Sequence, residues 1–172
     1  GARVWHAILQ EDSSLNYGSI CDSLTFCFSK ALGAPIGSML LGSREFIKEA
    51  REYRKILGGG TRQVGVIASM ASKALDKRER LLEDHTKAKS VYKALLDDNK
   101  NNDFNLKYQN TNMVFLEFEN NENANQFIAR LQNQQVLSGL INKNTVRLVF
   151  HKDILSEDLE TIKEAIYSSS KS

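Results

Sequence analysis

The sequence predicts an α/β chain in two parts, and three features carry that prediction. An apolar segment, Ile20 to Phe28, has the composition of a buried strand and ends in a turn rich in proline and glycine. Helical spacing then dominates from Arg44 to about Asp97, broken by Gly58-Gly59-Gly60. Beyond residue 98 the pattern switches to strands alternating with short helices, as in a compact α+β lobe. The domains are accordingly placed at 1–97 and 98–172, with a long linking helix closing the first.

Each element has its own warrant. Residues 4–9 are mostly apolar and lead into a polar stretch, Gln10 to Gly18. In the strand over 20–28, Leu24, Phe26 and Phe28 share one face, and Ser23, Thr25 and Cys27 share the other. That second face is small and weakly polar, so burial on both sides is expected, as in a parallel or mixed sheet. Ala31 to Gly37 holds the only proline, Pro35, between Gly33 and Gly37, and reads as a constrained turn. Residues 37–42 read as a short buried strand. Ser43 is an N-cap for a helix over 44–57, with Glu45 near its positive end. Phe46, Ile47, Ala50, Tyr53 and Leu57 form its expected buried stripe.

A second helix is expected from Arg62 to about Asp97, with room for a kink. Its inner face runs through Val64, Ile67, Ala71, Ala74, Leu81, Leu82, His85, Ala88, Tyr92 and Leu95. Further on, Thr111 to Phe118 and Thr145 to Phe150 read as strands, and Gln135 to Ile141 as a shorter one. A helix over 122–134 carries Phe127, Ile128 and Leu131. Ser156 is placed to cap a last helix, with Leu159, Ile162 and Ile166 inward.

Composition narrows the class. The chain has 172 residues, 41% hydrophobic and 26% charged, which fits a globular protein with a true core. A net charge of +2 offers no concentrated basic field for nucleic acid. No apolar run approaches the roughly 20 residues that span a bilayer. Cys21 and Cys27 are too few for a disulfide framework and read as buried thiols, so a reducing, cytoplasmic compartment is expected.

Few residues carry chemistry. Lys30 lies just past the end of the first strand, where open α/β sheets place ligands. A lysine beside apolar walls loses its proton more readily and serves as an amine nucleophile; a solvated lysine in a surface turn is the competing reading. The run Gly58-Gly-Gly-Thr-Arg62 suits an anion such as phosphate, with Lys55 seven residues earlier. A helix C-cap and linker explains the same glycines. Arg147, between Val146 and Leu148, and Arg3, before Val4 and Trp5, sit among apolar residues. A guanidinium there needs a partner, and its fork fits a carboxylate; an internal ion pair or an exposed strand face serves equally. His6, His85 and His151 show no metal-ligand spacing, so no metal is expected. The Lys/Glu alternations over 44–100 read as solvated helix faces.

These motifs together resemble the low-specificity L-threonine aldolases. The segment Ser23-Leu-Thr-Phe-Cys-Phe-Ser-Lys30-Ala-Leu-Gly-Ala-Pro-Ile-Gly-Ser38 is similar to the family's cofactor-lysine motif. Gly58-Gly-Gly-Thr-Arg-Gln63, Glu83-Asp-His85, Thr111-Asn-Met-Val114 and Val146-Arg-Leu-Val-Phe-His-Lys-Asp153 follow at the family's spacing. Gly1-Ala-Arg3 is similar to the end of its Asp-Gly-Ala-Arg motif. The resemblance implies the fold of the pyridoxal phosphate (PLP) enzymes of fold type I: here the end of a large domain with a mostly parallel sheet, then a small α+β C-terminal domain. It implies aldol cleavage of L-threonine or L-allo-threonine to glycine and acetaldehyde, with a β-hydroxy amino acid as substrate. Lys30 would form the Schiff base to PLP, Arg3 and Arg147 would hold the substrate carboxylate, and Arg62 with Lys55 would lie near the cofactor phosphate. A homotetramer is expected of the complete protein. A related β-eliminating PLP lyase, or a non-catalytic assembly fragment, are the alternatives.

Two substitutions depart from the family pattern: Ala31 stands where glycine is frequent, and Thr61 where methionine is frequent. The chain also begins one residue after the position of the aspartate that would pair with the cofactor ring. It therefore reads as a C-terminal portion that is inactive alone.

Overall fold

The computed structural model describes residues 1–10, 16–97 and 103–170. Part of the predicted polar stretch Gln10 to Gly18, and the first residues of the predicted second domain, 98–102, lie outside the described residues. The chain divides into two compact units, Gly1–Leu81 and Leu82–Ser172.

The first unit opens with α1 (Val4–Ile8) and α2 (Tyr17–Ile20). Strand β1 (Ser23–Cys27) follows and pairs antiparallel with β2 (Ser38–Gly42), from Ser23 opposite Gly42 to Cys27 opposite Ser38. The Phe28 amide donates to the Gly37 carbonyl at 2.9 Å and extends the pairing into the turn. A chain that reverses within so few residues can pair only antiparallel, because a parallel partner needs a long crossover. The parallel or mixed pairing expected of this segment is thus replaced by a hairpin, and every described strand pair is antiparallel.

Burial differs from expectation in the same region. Along β1, Phe26 is buried while Ser23 and Thr25 are exposed, so one face is covered and not two. All of β2 is exposed, including Met39, Leu40 and Leu41. Cys21 is exposed and Cys27 half-buried, and both thiols are free, which corrects their reading as buried.

Helix α3 (Arg44–Ile56) forms where its spacing predicts, and the Ser43 hydroxyl caps it by accepting from the Phe46 amide at 3.1 Å. Its stripe is not buried: Tyr53 is 56% exposed and Leu57 83%. The predicted second helix is two, α4 (Gly65–Asp76) and α5 (Leu81–Asp97), separated by a 3-10 turn at Arg78–Arg80. On the predicted inner face Ala71 and Leu81 are buried, whereas Val64 and Leu82 are exposed. The core of this unit joins Val4, Phe26, Phe28, Leu32, Ala34, Ala71 and Leu81. Trp5 meets Phe26 edge-on at 5.4 Å, and Phe26 meets Phe28 at 5.1 Å.

The second unit holds most of α5, then β3 (Phe104–Tyr108), β4 (Met113–Phe118), α6 (Asn121–Asn133), β5 (Gly139–Leu140), β6 (Thr145–Val149) and α7 (Asp158–Ser170). Its sheet runs in the order β3-β4-β6-β5. Val114, Leu116 and Phe118 of β4 and Val146 and Leu148 of β6 point into one core with Ala88, Val91 and Leu95 of α5, Phe127 and Leu131 of α6 and Ile166 of α7. That shared core draws α5 into the second unit, ahead of the boundary expected at residue 97. Strand β3 has no counterpart in the sequence reading, although Phe104, Leu106 and Tyr108 alternate as a half-buried strand requires.

Candidate active site

Lys30 sits three residues beyond β1, in a turn built from backbone hydrogen bonds. The Gly33 amide donates to the Lys30 carbonyl at 2.9 Å, and the Ala34 amide donates to the Phe28 carbonyl at 3.0 Å. Leu32 and Ala34 are buried and pin the turn to the core, which leaves Lys30 itself exposed. Gly33 and Gly37 take φ of 80° and 122°, conformations that side chains rarely adopt. Ala31 is not among the residues of positive φ, so its methyl group costs the turn nothing. The Arg80 guanidinium donates to the Ala31 carbonyl and clamps the turn from the opposite end of the unit's sequence. Arg80 belongs to no motif in the sequence; its position in the break between two helices is the signal that could have marked it.

Arg3 is half-buried and occupies the N-cap position of α1, where its carbonyl accepts from the Ala7 amide at 3.1 Å. The next residue, Val4, belongs to the core that anchors the Lys30 turn. Arg3 and Lys30 are therefore carried by one packed body.

The glycine run behaves largely as a helix terminus. Gly58 has φ of 77°, and its amide donates to the Lys55 carbonyl at 3.1 Å; the Gly59 amide donates to the Arg54 carbonyl at 2.7 Å. These two amides are spent on the end of α3 and are not free for an anion. A Cβ at Gly59 would stand 2.9 Å from Arg54 Cγ, so the close return of the chain requires glycine there. Arg62 precedes α4 by three residues and does not open it, because the helix starts at Gly65 with Val64 as N-cap. Lys55 and Arg62 are both exposed cations.

Arg147 belongs to the second unit, on the sheet face opposite the helices. It is exposed, directly across from Phe115 of β4 on one side and Gly139 of β5 on the other. It makes no ion pair or side-chain hydrogen bond among the described residues. Of the expected alternatives for an arginine in this strand, the exposed face is found, and no internal ion pair occurs among the described residues. His85, on α5, is half-buried, and burial pushes its imidazole below the ordinary value. Among the described residues no cluster of three or more metal-ligating side chains occurs, and no helix is long and apolar enough to cross a membrane.

The residues present fit an aldehyde-bearing cofactor such as PLP. The Lys30 ε-amine, a primary amine of the kind that condenses with an aldehyde, is exposed and makes no hydrogen bond or ion pair among the described residues. The turn around it is held by the backbone and by Arg80, independent of that amine.

Comparison with known proteins agrees at two levels. The fold is that of fold-type I PLP enzymes, as the resemblance implied. A candidate L-allo-threonine aldolase of Listeria monocytogenes EGD-E matches it with a TM-score of 0.74 at 17% identity, over 98% of this chain and 50% of that one. A structure of SPT with PLP matches with a TM-score of 0.68 at 14% identity, over 86% of this chain and 39% of that one. A family model described as beta-eliminating lyase matches residues 1–119, and the chain belongs to that family. Low specificity L-threonine aldolase of Escherichia coli K12 is 37% identical over 165 residues, covering 94% of this chain and 47% of the relative. Low-specificity L-threonine aldolase 1 of Arabidopsis thaliana is 37% identical over 141 residues, covering 80% and 39%. The chain spans about half the length of the curated relatives it matches.

Proposed function

We propose that these residues serve a PLP-dependent lyase that cleaves the Cα–Cβ bond of L-threonine or L-allo-threonine, giving glycine and acetaldehyde. The observation that carries this reading is the amine of Lys30, exposed on a backbone-bonded turn within a segment similar to threonine aldolases. PLP, when bound, supplies the electron sink for the pair released as that bond breaks. Lys30 is the covalent anchor for the cofactor's aldehyde. Lys55 and Arg62 offer exposed positive charge for its phosphate through their side chains, since two glycine amides of the intervening run are engaged. Arg3 and Arg147 bind the substrate carboxylate, a planar anion that matches the guanidinium fork. In the balanced reaction the β-hydroxyl loses its proton as the aldehyde departs, and Cα gains one.

The test uses the full-length protein loaded with PLP and reduced with borohydride. Peptide mapping should place the label on Lys30, and Lys30→Ala should abolish acetaldehyde release from threonine. A label on another lysine overturns the assignment; an unchanged rate in Lys30→Ala would favour a purely structural role.

A second reading is favoured by the description of the matching family, a beta-eliminating lyase. It predicts a keto acid and ammonia in place of glycine and an aldehyde, so product analysis separates the two.

A further inference from the structure

The sheet face that carries Arg147 holds two other charges, and their arrangement is selective. Lys107, Phe115, Arg147 and Gly139 form one row across β3, β4, β6 and β5. The adjacent row places Asn105 opposite Glu117 and Glu117 opposite Thr145. Glu117 is thus a diagonal neighbour of both Lys107 and Arg147. Diagonal pairs on one sheet face stand about 7–8 Å apart at the backbone, within reach of long side chains. Left to choose, a carboxylate prefers the two-pronged guanidinium to a single ammonium.

The structure shows the opposite pairing. Lys107 Nζ donates to Glu117 Oε2 at 2.7 Å, and Asn105 Nδ2 donates to the same oxygen at 3.5 Å. Both donors come from β3, so Glu117 is drawn toward the sheet edge and away from β6. The Lys107 hydrogen bond, and then its charge, hold the Glu117 carboxyl below the usual carboxylate range, so it stays an anion that needs a partner. Phe115, half-buried, stands between Lys107 and Arg147 in their row. On the other flank Gly139 offers no side chain, and nothing lies within 4 Å of where its Cβ would be.

We propose that Lys107 is a positioning residue that sequesters Glu117 and so keeps the Arg147 guanidinium available for the substrate carboxylate. The inference rests on the reading of Arg147 given above. Removing the Lys107 charge frees Glu117 to pair with Arg147, and substrate must then compete with an internal carboxylate. The penalty falls on binding and spares the chemical step.

The experiment uses the full-length, PLP-loaded protein with threonine as substrate and glycine as a binding probe. Lys107→Met keeps the aliphatic stem and removes the charge. It should raise KM, and the glycine dissociation constant measured by calorimetry, by about three- to fivefold, the range of exposed ion pairs, with kcat little changed. Adding Glu117→Gln to that variant should restore both values, which a merely misfolded protein cannot do. The Lys107→Met defect should also shrink at high salt, since exposed charges are screened. An unchanged KM in Lys107→Met, or no restoration in the double variant, overturns the proposal while leaving the Arg147 reading intact. Arg147→Ala is the control: if its KM equals the wild-type value, the carboxylate reading fails, and this inference with it.

Discussion

Asn112 shows how much a single side chain can hold. It is buried just before β4, and its Nδ2 donates to the Phe150 carbonyl at 2.7 Å. The Phe150 amide returns a bond to the Asn112 carbonyl at 2.9 Å, so the two strand ends are tied twice. Asn112→Ala would orphan a buried carbonyl, and we expect a loss of about 1–3 kcal/mol in chemical denaturation. Other asparagines act similarly: Asn120 caps α6 by accepting from the Asn123 amide at 2.9 Å, and Asn142 accepts from Thr145 at 2.8 Å. The asparagine-rich composition of this region thus has a structural use at helix starts and turns. At the same scale Lys30, Arg3 and Arg147 were legible as oddities of position. Arg80 and Lys107 were not, because their importance lies in partners 49 and 10 residues away in sequence.

Secondary-structure elements follow the local signals closely where those signals are local. Ser43 caps α3 as its sequence position predicts, and β4, α6 and β6 fall within a residue or two of their expected bounds. Helix α5 carries a titratable group worth testing. Burial holds His85 below its ordinary value of 6.5, so the unfolded chain takes up a proton at higher pH than the folded one. The stability due to neutral His85 is complete above that value and is lost as pH falls through the lower folded value. His85→Gln should therefore flatten the decline in thermal midpoint as pH is lowered below 6.5. A variant as steep as the wild type would show that other groups carry the slope. Strand β3 was missed because it is short, follows a polar run, and is defined chiefly by its pairing with β4.

For the whole molecule, exposed apolar surface is the dominant feature of the first unit. Tyr53, Ile56 and Leu57 of the α3 end are 56%, 76% and 83% exposed, and Met39, Leu40 and Leu41 of β2 are also uncovered. Apolar area on this scale is unusual for a self-sufficient surface. The 172-residue chain expressed by itself should bind a hydrophobic fluorescent dye strongly, and the double substitution Tyr53→Lys with Leu57→Glu should reduce that binding severalfold. Equal dye binding by the variant would place the sticky surface elsewhere.

Read by itself, the sequence determined the bounds of α3, β4, α6 and β6 to within a residue or two, which turn presents Lys30, and the family to which the chain belongs. Those properties follow from spacing, caps and residue order, all of which act between near neighbours. Tertiary structure alone decided that the α3 stripe is uncovered, that β3 pairs with β4, and that Glu117 is held by Lys107 and not by Arg147. Each of those outcomes is a competition among distant partners for one strand edge, one apolar face or one carboxylate, and local spacing carries no term for the competitor.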